Sequence, residues 1–260
     1  MSLYIKETGE RNENVLIFLH ELNMAGWMWN EQVKAFPDFH CMVPDLPGHG
    51  RSNEVAQFTM EVAANKIIGL IEQKGRGRAH LVGMALGGQV VLEILNKAPD
   101  LVCSAFISGA LVNSTPPSEK FLELLDYLMD AYIPVKNDHL IMGSYIRAYG
   151  IPRNQIRNFK QSTNAVKPDS ARRILKENLL FKIPAKLNRV DVPVMLMAGE
   201  KDYTIIKEST RKLADIMPNS KAFLAPGAGH IWNIEKPELF NKVLRSWITG
   251  SSLPDNLIEI

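Results

Sequence analysis

The segment Gly83-Met84-Ala85-Leu86-Gly87-Gly88 has the frame of a nucleophile elbow, Gly-x-Ser-x-Gly, with alanine where the serine would stand. Such an elbow is a sharp strand-to-helix reversal. It drives its central residue toward positive φ and brings backbones so close that the residues two before and two after must be small. Gly83 and Gly87 meet that need. A non-glycine residue held at positive φ is strained by roughly 1–3 kcal/mol, a cost kept where it presents a reactive side chain at the head of a helix. Ala85 would carry the strain and present only a methyl group. Alanine is serine without its Oγ, so the frame reads as one built for a nucleophile that has since been removed, the alternative being an elbow that never held one.

An elbow needs a strand before it and a helix after it, and residues 79–82 and 89–98 have those patterns. Val15–Leu19 is a continuous apolar run, as a parallel strand covered on both faces requires. Further strands are expected at 41–43, 102–107, 193–198 and 221–224, and helices at 27–36, 59–74, 206–217 and 237–249. This alternation predicts an α/β fold with an open, mostly parallel sheet and helices on both faces. Residues 112–190 break the rhythm with helical patterns, and an insertion of that size over a sheet's carboxyl edge predicts a cap or lid. The expected organisation is therefore a core of 1–111 and 191–260 with a helical cap at 112–190. The cap aromatics Tyr132, Tyr145, Tyr149, Phe159 and Phe181 read individually as core rather than as ligand contacts, while together they suggest an apolar substrate.

With 260 residues and 46% hydrophobic composition the chain can bury a full core. Thirty basic against 28 acidic side chains give a charge of +2, too balanced for a nucleic-acid footprint or an electrostatic membrane anchor, so a small molecule is the expected partner. Residues 1–13 are polar, without the apolar core of a signal peptide, and no apolar run approaches the ~20 residues that span a bilayer, so a cytoplasmic location is expected. Cys41 and Cys103 lie in apolar strand contexts and read as reduced, buried thiols. No Cys/His cluster has zinc spacing, and Gly83, Gly87 and Gly88 do not form a dinucleotide fingerprint, so neither metal nor cofactor is implied.

The elbow is joined by His20 at a strand end, by Asp45-Leu46-Pro47-Gly48-His49-Gly50-Arg51-Ser52, by Gly199-Glu200-Lys201-Asp202, and by Gly229-His230 with Glu235-x-Pro237. In this order the pieces resemble the α/β-hydrolase fold superfamily over essentially the whole chain. That resemblance implies a carboxylic-ester hydrolase scaffold, with position 85, Asp202 and His230 in the Ser…Asp…His order. His230 would be the general base, with a pKa near working pH, and Asp202 would fix its tautomer. Otherwise His230 is a surface residue and Asp202 a helix cap. The oxyanion hole would take the backbone N–H groups of Leu22 and Leu86. As written, such a chain would bind small, rather apolar ester-like ligands and hydrolyse them poorly.

Glu21 departs from the family pattern, which carries glycine there. With Ala25-Gly26-Trp27-x-Trp29, this stretch is similar to the branch of plant-type esterases and hydroxynitrile lyases, whose lyase members place a threonine hydroxyl at this position. By that analogy Glu21 faces the reacting centre, where it could act as a general base and would repel a developing oxyanion. The plain alternative is a solvated Glu on a flexible loop. Two further readings stay open: a non-enzymatic ligand-binding protein on the same fold, and a lyase, the latter weakened because Ile231 stands where those enzymes carry lysine.

Overall fold

The computed structural model describes residues 2–55, 57–115 and 117–260; Met1, Ala56 and Pro116 lie outside the described residues. The strands are β1 (Ile5–Thr8), β2 (Val15–Leu19), β3 (His40–Pro44), β4 (Ala79–Met84), β5 (Val102–Ser108), β6 (Val194–Gly199), β7 (Ser220–Ala225) and β8 (Ile258–Glu259). They form one sheet in the order β1-β3-β2-β4-β5-β6-β7-β8. Every pairing from β3 to β7 is parallel, and β1 and β8 close the two edges antiparallel. The continuous apolar strand at Val15–Leu19 is buried at all five positions, because helices cover both faces of the sheet.

The helices are α1 (Asn30–Ala35), α2 (Met60–Lys74), α3 (Leu86–Lys97), α4 (Glu119–Tyr132), α5 (His139–Ala148), α6 (Ile156–Ala165), α7 (Pro168–Leu179), α8 (Thr204–Ile216), α9 (Trp232–Glu235) and α10 (Pro237–Thr249). Two apolar clusters result. One packs Ile17, Leu19, Ile67, Val90, Val91 and Leu196 on one face of the sheet; the other packs Phe18, Trp29, Phe106, Trp232 and Phe240 on the other. Local chemistry sets the ends of the elements. Thr59 caps α2 by accepting from Val62 N–H at 3.1 Å, and the expected helix at 27–36 is split into a 3-10 turn, Gly26–Trp29, followed by α1.

Helices α4 to α7 occupy the chain between β5 and β6. The two ends of this insertion are tied by a bridge between Asn113 and Lys182, and Asn113 Nδ2 donates to Leu179 O at 2.8 Å. Cys41 is a buried free thiol and Cys103 a half-buried one. No helix among the described residues is long and apolar enough to cross a membrane.

Candidate active site

Strand β4 ends at Met84 and α3 begins at Leu86, which leaves Ala85 alone in the reversal at φ 45° and ψ −103°. Its N–H donates to Ser108 O on β5 at 2.7 Å, and its carbonyl accepts from Gln89 N–H at 3.0 Å. A Cβ on Gly83 would lie 2.5 Å from Gly87 O, and one on Gly87 would lie 2.2 Å from Leu19 O. The reversal is thus enforced by backbone approach on two sides, whatever side chain stands at 85. Leu86 is fully buried and opens α3, where the N–H has no carbonyl one turn below it.

Asp202 lies in the loop between β6 and α8. Its Oδ1 accepts from Tyr203 N–H at 2.7 Å, and both its oxygens lie 3.0 Å from His230 Nδ1, which donates to it. Of the two alternatives offered by the sequence, pairing with the histidine is the one formed: the N-cap of α8 is Tyr203, and no side chain caps that helix. His230 sits between β7 and α9 in a loop held by Gly229 N–H donating to Glu235 Oε2 at 2.7 Å.

Glu21 is not a solvated loop residue: it is only 4% exposed. Its backbone is held by a neighbour whose tautomer is fixed. His20 Nε2 accepts from Leu46 N–H at 2.9 Å, so Nδ1 carries the hydrogen and donates to Glu21 O at 2.9 Å. Burial, against a smaller opposing effect of that bond, lowers the His20 pKa to about 4 and keeps the ring neutral. So fixed, the Glu21 carboxylate turns to His230, with Oε2 3.5 Å from Nε2. That oxygen is buried and has no hydrogen-bond partner.

His230 therefore stands between two carboxylates. Burial opposes its charge, but Asp202 and Glu21 outweigh burial and push the pKa up to about 10. The two carboxylates, Asp202 first, thus favour the protonated ring, where the sequence alone suggested a base with a pKa near working pH.

Glu21, Leu22, Asn23, Ala85, Gly109 and His230 line one cavity of about 280 Å³. Its other walls come largely from the insertion and from α8. Tyr149 stacks on the His230 ring with centroids 6.1 Å apart, Tyr145 stacks on Tyr149 at 6.0 Å, and Tyr132 meets Tyr145 edge-on at 6.3 Å. These three tyrosines pack against the core, as expected, and also form a wall of the cavity, while Phe159 and Phe181 are buried in the core. Tyr203 and Ile205, 59% and 55% exposed, stand at the mouth. Leu86 does not line the cavity, although its neighbour Ala85 does.

Gly109 was not legible as a site residue. It follows β5 at φ +71°, and a Cβ there would lie 3.0 Å from His230 Cε1. Gly109→Ala should therefore cost about 1 kcal/mol or more through its backbone alone and displace the imidazole. Thermal denaturation and the ring's NMR shifts would register the two effects.

Residues 16–243 match the model of the alpha/beta hydrolase family. The chain belongs to that family. Among its relatives, this alpha/beta hydrolase is 28% identical over 244 residues to the "Putative carbamate hydrolase RutD" of Pseudomonas syringae, covering 90% of this chain and 93% of that one. Among solved structures, a thermophilic esterase from Thermogutta terrifontis superposes with a TM-score of 0.80 at 22% identity, over 95% of this chain and 93% of that chain. The enol-lactonase of Burkholderia xenovorans superposes with a TM-score of 0.81 at 18% identity, over 95% and 96%. At those identities the two structures share the fold of this alpha/beta hydrolase.

Proposed function

We propose that the protein is a hydrolase for small carbonyl compounds that works without an acyl-enzyme, moving the proton through Glu21 and His230. The observation that carries this reading is the Glu21 carboxylate, buried in the cavity 3.5 Å from His230 Nε2 beside a methyl group at the nucleophile position. Glu21 accepts a proton from water as the water adds to the carbonyl carbon, and the His230 cation, oriented by Asp202, donates one to the leaving group. The carbonyl oxygen is received by the N–H of Leu22, on the cavity wall, and by the backbone N–H of Leu86 at the head of α3 behind Ala85, although the Leu86 side chain stays outside the cavity. Helices α4 to α7 serve as a cap that keeps bulk water out. The RutD relative, whose name denotes cleavage at a carbamate carbonyl, supports this class of bond. Its share of the chain supports a shared framework, not a shared substrate.

A second reading is favoured by the elbow. Ala85 keeps a strained backbone that presents nothing reactive, as an esterase with its nucleophile removed would. The two are separated by the turnover of activated esters and carbamate esters by the chain and by Glu21→Gln. Loss in the variant supports the proton-transfer route; an unchanged rate, with both proteins folded, removes it in favour of the inactivated esterase.

A further inference from the structure

The same cavity carries information about which carbonyl compounds enter it. It holds the carboxylates of Glu21 and, behind His230, Asp202 against a single imidazole, and no lysine or arginine is among the described residues lining it. Glu21 Oε2 faces His230 Nε2 at 3.5 Å, longer than a good hydrogen bond, and makes no other contact of that kind, so its acceptor capacity is open to a donor on a ligand. Glu21 and Leu22 are consecutive and line one wall, and the N-terminal end of α3 opens beside Ala85. A ligand that turns an acceptor oxygen toward Leu22 and α3 therefore brings the neighbouring atoms of the same group to the Glu21 carboxylate. The stacked rings of Tyr145, Tyr149 and His230 give the slot a flat side, and about 280 Å³ limits it to a small ligand.

We propose that the cavity takes a small, flat, uncharged carbonyl compound that carries an N–H or O–H hydrogen next to its carbonyl, and that it rejects the isosteric carboxylate. This rests on the proposed hydrolase reading only in placing the carbonyl oxygen. The donor satisfies Glu21 Oε2. A carboxylate ligand would instead set a third carboxyl group beside Glu21 and Asp202, with only the His230 imidazole to meet it.

The test is calorimetric titration of the full chain at neutral pH with benzamide, methyl benzoate and benzoate, which share ring and carbonyl but differ in donor and charge. Benzamide should bind about tenfold or more tightly than methyl benzoate, which has no donor, and benzoate should bind more weakly still. In Glu21→Gln the margin over methyl benzoate should shrink and benzoate should gain about tenfold or more. Benzoate binding as tightly as benzamide, binding of none of the three, or a preference untouched by a folded Glu21→Gln would each overturn the proposal. Should that variant not fold, the order on the unaltered chain decides alone. No turnover is measured, so a failure of the hydrolase reading would be seen separately.

Discussion

Ala85→Ser should raise the hydrolysis of a short-chain nitrophenyl ester by about 10²–10³-fold, and Ala85→Ser with Glu21→Gly by several orders more. Removing the nucleophile of a serine hydrolase can cost about a millionfold in kcat, which sets the ceiling for the gain. The substitution adds one oxygen to a backbone already at φ 45° and ψ −103°, so the elbow need not reorganise. The limit on the single variant is Glu21. Its carboxylate lies at the imidazole nitrogen a serine would use, favours the protonated ring, and repels an oxyanion forming beside Leu22. Both gains should vanish on His230→Ala, and a burst of nitrophenol should accompany them, since an acyl-enzyme becomes possible. Full recovery in the single variant would place Glu21 away from the reacting oxygen. No recovery in a folded double variant would mean that the frame does not support acyl transfer.

Glu21→Gln should lower turnover of the chain's own substrate by about 10²–10⁴-fold, the usual contribution of a general base. The sign of this effect is as informative as its size. Losing the Glu21 charge leaves Asp202 as the single anion at His230, so the imidazole pKa moves down from about 10. A neutral ring with a free Nε2 could then serve as the base, and a rise in rate would identify His230 rather than Glu21 as the acceptor. NMR titration of the ring reports the pKa change directly. Stability should follow. His230 has a folded pKa above its ordinary 6.5, so its charge contributes stability that is complete below about pH 6.5 and lost as pH rises through about 10. In Glu21→Gln that loss should still begin near pH 6.5 but end at a lower pH and be smaller in total, as denaturant midpoints across this window would show.

The central strands were legible because a parallel strand buried on both faces must be apolar throughout, as Val15–Leu19 is. The edges were not. Ile5–Thr8 mixes Lys6 and Glu7 into an antiparallel edge, and Ile258–Glu259 is too short to show any period. The elbow could be read from its glycines, whose missing side chains reflect contacts within the turn and with β2. The inward turn of Glu21 was reached only through the family resemblance, because no local pattern distinguishes a carboxylate facing water from one facing His230 across more than two hundred residues of chain. The tyrosine wall was hidden for a related reason: an apolar helical stripe has the same spacing whether it meets a core or a cavity.

The tie between Asn113 and Lys182 and the pairing of β5 with β6 bear on the order in which the molecule assembles. Asp202 and His230 lie beyond the long connection from Ser108 to Val194, so neither can reach Glu21 until β6 docks beside β5. Closing that connection costs loop entropy before its contacts repay it, so pairing so distant in sequence forms slowly. Until it closes, Glu21 has no imidazole to face. Sealing the sheet and charging the site are then one late step. A refolding experiment that follows the fluorescence of the four tryptophans and the His230 ring signal together should find a single rate for both.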